Sequence, residues 1–500
     1  MRIGFKKNTN DLKEVIKYYL NYFKTKCSED CIGCPEYVRK YDICKTKDGI
    51  CSKKPIKSFF VLFFHKIKDK YKYKKPPIYA PYRHEKFIKE DVKPRVEAFL
   101  KLRKLHPKIA NHVYGIDACS QEIGCRPEVF APSFRKIRKT TPSEEISLLK
   151  EKDEQLRFIH ITYHAGEDFL DIADGLRAID EAIRFNEMQH ADRIGHALAL
   201  GINPVDHYKS KGGKIFLPRH DLLDNAMWVI VTLRHCQQFI PDVFNELEQV
   251  FREQYIYIYG ANLPSTEQFN GANLPSIEQF YDAWLLRGDA PYHYKKIRDN
   301  NDFNKYLQGL SIMNPNKYNC DFQSDKQVKN IRENNFHARE LYYNYHYNHD
   351  VRKKGDETIE WKITPRYAHA IKLLQDCMQQ YIADHGIGIE CNPSSNYLIG
   401  TFKDYSKHPM FRFNNDGLGD ETDNAMMQIS INTDDQGVFE TDLENEYALI
   451  ACALENMTDD HGKKIYKQNN IYKYIDNVRQ MGVDQSFMLI ERNTGGQNGY

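Results

Sequence analysis

Six short apolar runs, each closing on polar residues and each set apart by room for a helix, constrain this chain more than any other feature. They are SFFVLFF at 58–64, HVYGIDACS at 112–120, FIHITYHAGE at 158–167, DRIGHA at 192–197, GIGIECNPSSN at 386–396 and QISINTDD at 428–435. A strand covered on both faces reads as a continuous apolar run, so buried parallel strands in β/α units are expected. LDIADGLRAIDEAIRF at 170–185 and AHAIKLLQDCMQQYIADH at 368–385 carry the amphipathic spacing of the intervening helices. The polar residues gather at the C-terminal ends of several different strands, which fits a TIM (β/α)8-type barrel. An open doubly wound sheet would collect them at one switch point.

The spacing then fails between Ala197 and Gly386, where nearly 190 residues stand in place of one unit; a β/α repeat needs about 30. The chain therefore divides into a basic, Cys-rich N-terminal segment (1–57), the first part of the barrel (58–200), a large, mostly helical insertion that ends in the last barrel helix (201–385), the final strands and C-terminal helices (386–490) and a disordered tail (491–500). Inside the insertion GANLPSTEQF (260–269) is almost repeated as GANLPSIEQF (271–280), a duplication in a tolerant loop.

Formal net charge is only +2, so no whole-chain field points to nucleic acid. Residues 1–75 nevertheless hold 20 Lys and Arg against 8 Asp and Glu. Such a basic region suits phosphates, nucleic acid or an acidic partner, or simply reflects a lysine-rich composition. The longest convincing apolar stretch, Phe59 to Phe64, is too short to span a bilayer. With 12 Cys and no secretory leader, reduced thiols and a cytoplasmic location are expected. Cys27, Cys31, Cys34, Cys44 and Cys51 have spacing that suits either a structural metal or free thiols in a lysine-rich loop.

The chemistry concentrates at three strand ends. His164 closes one strand with Glu167 three residues on, His196 closes a second, and Asp434 and Asp435 close a third. A strand-end His is a natural Zn2+ ligand, and a nearby carboxylate can serve as general acid or base. Two adjacent carboxylates repel unless a cation or donor satisfies them. Each feature alone has a plainer explanation: a satisfied core histidine for His164 or His196, a helix N-cap for the Asp pair.

Taken in order, HAGE, RIGHA, ECNPSSN and NTDD resemble the adenosine deaminase family of metal-dependent hydrolases, and YGIDACSQE at 114–122 looks like that family's fourth strand. The resemblance covers roughly 58–200 and 386–455. It implies an amidohydrolase-type barrel, His164 and Asp434 as zinc ligands, and Glu167 as proton donor to the purine ring. It further implies His196 stabilising or deprotonating the attacking water and Asp435 positioning water and substrate. Asp117 and Glu122 match the fourth-strand motif, whereas Ser120 stands where the family has a glycine whose backbone contacts the purine, leaving Asp117, Ser120 and Asp435 as the substrate-side positions. The wording HAGEDF, RIGHALALGI and NTDDQGVFETDLENEYAL is similar to that of the deaminase subunits of the bacterial antiphage RADAR system. That similarity implies an adenosine or adenine-nucleotide substrate, a large homo-oligomer and an ATPase partner.

One family feature is missing. No His-x-His follows an apolar strand in this sequence; YHYNH at 345–349 has the wrong spacing and lies in the insertion. The first one or two barrel strands are therefore expected to be absent. A truncated reading frame, completion by another polypeptide, or an inactive scaffold subunit would each account for that.

Overall fold

The computed structural model describes residues 1–30, 45–46, 49–50, 59–69, 82–140, 156–260, 274–296, 300–313, 320–400, 402–419 and 426–487. Its centre is a seven-stranded, wholly parallel sheet. The strands are β1 (Arg2–Gly4), β2 (Phe60–His65), β3 (Val113–Cys119), β4 (His160–Ala165), β5 (Arg193–His196), β8 (Gly388–Cys391) and β9 (Ile429–Ile431), in that spatial order. β6 (Lys214–Pro218) and β7 (Thr358–Lys362) form a separate antiparallel pair. The six apolar runs each supply one sheet strand. Every residue of β4 is buried, as a strand covered on both faces requires.

The seventh strand corrects the expectation that the sheet begins at 58–64. Arg2–Gly4 pairs with Val61–Phe63 of β2. Three residues are too few to show a periodicity, and Arg2 breaks the apolar pattern; only pairing with β2 reveals the strand.

The sheet is strongly curled. The Arg2 side chain on β1 donates to Glu390 on β8, five strand positions away. Strands about 4.8 Å apart would place those two positions about 24 Å from each other in a flat sheet, beyond the reach of both side chains. The architecture is thus α/β and consistent with a TIM-type barrel, with β1 and β9 as its edges among the described residues.

The helices follow their strands: α1 (Thr9–Asp30) after β1, α2 (Lys93–Leu105) after β2, α3 (Ala131–Lys139) after β3 and α4 (Ile172–Phe185) after β4. Between β5 and β8 lie β6, α5 (Arg219–His235), α6 (Pro241–Tyr259), α7 (Phe336–Tyr347), β7 and α8 (Pro365–Asp384). The β6–β7 ladder, with Lys214 opposite Lys362, brings the two ends of this segment together.

Helix α4 shows what the segment covers. Its sequence is amphipathic, yet 13 of its 14 residues are buried. The polar face is paired rather than solvated. Arg177 donates to Asp174, Glu181 and Asp224, and Arg287 donates to Asp224. Trp228 and Trp284 bond Asp180 and Glu181. Charges buried this way are tolerated only when paired and hydrogen-bonded.

The five cysteines Cys27, Cys31, Cys34, Cys44 and Cys51, residues 261–273 of the duplication and the 491–500 tail lie outside the described residues, Cys27 as regards its side chain.

Candidate active site

The C-terminal ends of β3, β5 and β9 are marked by unusual backbone. Ser120, His196, Ala197 and Asp434 all have positive φ, at 78°, 65°, 51° and 54°. Left-handed backbone costs L-residues about 1–2 kcal/mol each and persists only where surroundings enforce it. Such outliers at the same ends of three strands point to a site.

Register does the first part of the positioning. Ala165 on β4 lies opposite His196 on β5, and His164 opposite Gly195. The two imidazoles come within 5.0 Å, centroid to centroid. The Gly166 turn then folds Glu167 back, so that Glu167 Oε1 lies 3.1 Å from His196 Nδ1. Asp434 Oδ2, from the end of β9, lies 3.8 Å from His196 Nε2. Glu167, His196 and Asp434 thus offer ligand atoms all within 4.8 Å of one another. Residues separated by 267 positions in the chain meet at one point.

His164 faces this cluster but is held from behind. Its Nδ1 is 3.1 Å from Asp117 Oδ1, while Asp117 Oδ2 accepts from Arg2 Nε at 2.9 Å. Asp117 is fully buried with both oxygens engaged. It therefore orients the His164 ring. Ser120 and Asp435 are exposed. Asp435 occupies the N-cap position of the short helix Gln436–Phe439, without a side-chain capping bond. The structure brings His164, Glu167, His196 and Asp434 together and leaves Ser120 and Asp435 at the rim.

The electrostatics separate an acid from a base. Burial pushes the Glu167 carboxyl up to about 8, with Glu122 and Asp434 adding to the shift and His164 opposing it. Burial, followed by the nearby His164, holds His196 well below the usual histidine range. Burial works against the charged form of His164, but the Asp117 carboxylate outweighs it and raises the group. A protonated carboxyl beside a neutral imidazole is the arrangement expected where one group must give a proton and the other must not hold one.

Several contributors carry no signal of their own in the sequence. Ser395 Oγ donates to Asp434 Oδ2 at 2.8 Å. His408 Nδ1 accepts from the Met410 amide at 3.1 Å, which leaves its Nε2–H to donate to Asn396 Oδ1, also 3.1 Å away. Asn396 Nδ2 in turn reaches His196 Nδ1 at 2.8 Å. This chain of bonds assigns the His196 proton to Nε2, facing Asp434. Asn392, Ser395 and Asn396 lie in the ECNPSSN run, so the motif announced a cluster, while the partner of each side chain depended on the fold.

The site has the donors a metal ion needs. Glu167 Oε1 is buried and, despite its closeness to His196, makes no hydrogen bond, the approach being off-axis. The Asp434 carboxylate and the far nitrogen of the His164 ring, with the orphaned Glu167 oxygen beside them, are donors that a zinc ion accepts.

Residues 356–480 match the model of the adenosine deaminase family. That segment contributes β7, α8, β8, β9, Asp434 and Asp435, whereas His164, Glu167 and His196 lie before it. An adenosine deaminase of Serratia proteamaculans is 33% identical over 94 residues, 19% of this chain and 25% of the relative. Adenine deaminases of Sinorhizobium medicae and Rhizobium etli are 29% and 31% identical over 90 residues, 18% of this chain and 25% of each relative. The chain thus spans about a quarter of the length of the curated relatives it matches. The matched segment is similar to hydrolases of the adenosine deaminase type.

Proposed function

We propose that this chain carries out hydrolytic deamination of adenosine or an adenine nucleotide, giving the inosine form and ammonia. The observation that carries the proposal is the convergence of Glu167 and His196, 3.1 Å apart at adjoining strand ends and next to Asp434, in surroundings that raise the carboxyl and depress the imidazole. Glu167 would protonate the purine ring nitrogen, making the amino-bearing carbon electrophilic. His196, with its proton on Nε2, is set to stabilise the attacking water's developing charge. Asp435, exposed beside Asp434, would contact water and substrate. Zinc, held by His164 Nε2 and Asp434, would supply acidification of the attacking water.

The wider setting follows the motif resemblance and belongs to the same proposal: antiphage defence, a large homo-oligomer, an ATPase partner and a cytoplasmic location. No helix among the described residues is long and apolar enough to cross a membrane. The competing reading, a silent scaffold subunit, draws its support from the missing His-x-His pair.

Zinc analysis of the purified chain, with ammonia release from adenosine and from ATP, decides between them. Near-stoichiometric zinc and turnover that falls about 10²–10⁴-fold in Glu167→Gln support the deaminase. Absence of turnover on every adenine compound, with or without added zinc, overturns it in favour of the scaffold.

A further inference from the structure

Lys66 stands immediately after β2 and is only 4% exposed. A lysine is almost never buried unless paired, and an apolar residue would fill the same space without desolvating a charge. Its backbone amide extends the β2–β3 pairing through Cys119 O at 2.8 Å. Its ammonium crosses to the end of β4. There it donates to the carbonyl of His164, lies 3.9 Å from Glu122 Oε1 and sits 4.8 Å over the Tyr163 ring.

Glu122, 8% exposed, comes from the loop after β3 and completes the arrangement. Its carboxylate accepts the Gly166 amide at 2.9 Å and the Glu167 amide at 3.4 Å. The turn from His164 to Glu167 is therefore gripped at its first carbonyl by a cation and at its last two amides by that cation's anion. Gly166 between them has φ of 77°, and a Cβ there would lie 2.6 Å from Ile179 Cδ1. Three strand ends are tied by one buried ion pair at the backbone that carries Glu167.

We infer that Lys66 and Glu122 are a positioning pair that fixes the His164–Glu167 turn and so holds the Glu167 carboxyl against His196 and Asp434. Neither side chain touches the cluster directly. Their grip on Glu167 passes through the backbone, as outer-shell partners act on the groups they orient, while their charges also act on its carboxyl through space, Glu122 raising and Lys66 lowering it. The inference rests on the deaminase reading for its kinetic consequence, though not for its structural one.

The test compares Lys66→Met, Lys66→Arg and Glu122→Gln in the full chain. Amide hydrogen exchange is followed in the peptide spanning 160–170, with the α5 peptide as reference, alongside ammonia-release kinetics. Exchange at Gly166 and Glu167 should accelerate about tenfold or more in Lys66→Met and Glu122→Gln, with α5 unchanged and Lys66→Arg near the parent. The kcat should fall about 10–100-fold in the same two variants while KM stays within about twofold. Unchanged exchange in both, equal acceleration in α5, or a loss confined to KM overturns the inference. If the parent chain releases no ammonia, the deaminase reading falls and exchange alone decides the positioning pair. If Lys66→Met does not fold, Glu122→Gln answers the same question.

Discussion

Asp117 Oδ1 lies 3.1 Å from His164 Nδ1, a contact between neighbouring strands that leaves the far nitrogen of the imidazole turned to the cluster. Carboxylate–histidine pairs of this kind set both tautomer and ring direction at metal sites. Asp117→Asn should therefore lower zinc affinity about 10–100-fold with little change in fold. Competition against a chromophoric chelator measures it; an unchanged affinity would show that the ring is held by something else.

His408 gives a pH dependence with a definite sign. Burial holds it at about 3, and Nδ1 is committed as an acceptor of the Met410 amide. The unfolded chain binds that proton near pH 6.5, the native chain not until about 3. The stabilisation is fully present above pH 6.5 and drains away as pH falls towards 3. His160 and His220, also depressed to about 3 by burial, act in the same direction. Each contributes at most about 1.4 kcal/mol per pH unit. Melting temperatures should drop between about pH 7 and 5, ahead of carboxylate protonation, and His408→Asn should flatten that slope.

Ser120 is exposed, with φ of 78°. Ser120→Gly should relieve the left-handed strain and stabilise the chain by about 1 kcal/mol after the entropic cost of a glycine. Urea denaturation reads the sign directly, and a loss would mean that the hydroxyl has a binding partner.

Gly166 sits at the opposite extreme. Its φ of 77° and the 2.6 Å approach to Ile179 Cδ1 leave no room for a methyl group. Gly166→Ala should cost about 2–4 kcal/mol, from strain and overpacking together. Proteolysis or denaturant titration detects it, and tolerance of alanine would show that the turn is free to relax.

Glu390 lies between two guanidiniums, accepting from Arg193 Nε at 2.8 Å and from Arg2. Those charges hold its carboxyl well below the usual range against the pull of burial. Glu390→Gln removes the carboxylate paired with Arg193 and leaves Arg2 with Asp117 alone, and should destabilise by about 2–3 kcal/mol, discounted because Arg2 is partly exposed. Thermal unfolding at neutral pH checks it.

The amino-acid order determined the strands β2 to β5, β8 and β9, because a strand buried on both faces must be continuously apolar, and it marked His164, Glu167, His196 and Asp434 through the polar residues closing those runs. It did not disclose Arg2–Gly4, three residues that become a strand only beside Val61–Phe63. Nor did it disclose that Asp117 and Arg2 stand behind His164, that Asn396 and His408 set the proton on His196, or that Lys66 and Glu122 grip the turn below Glu167. Local pattern fixes burial and period, whereas hydrogen-bond and ion-pair partners drawn from separate strand ends are chosen only when curling of the sheet brings those ends together.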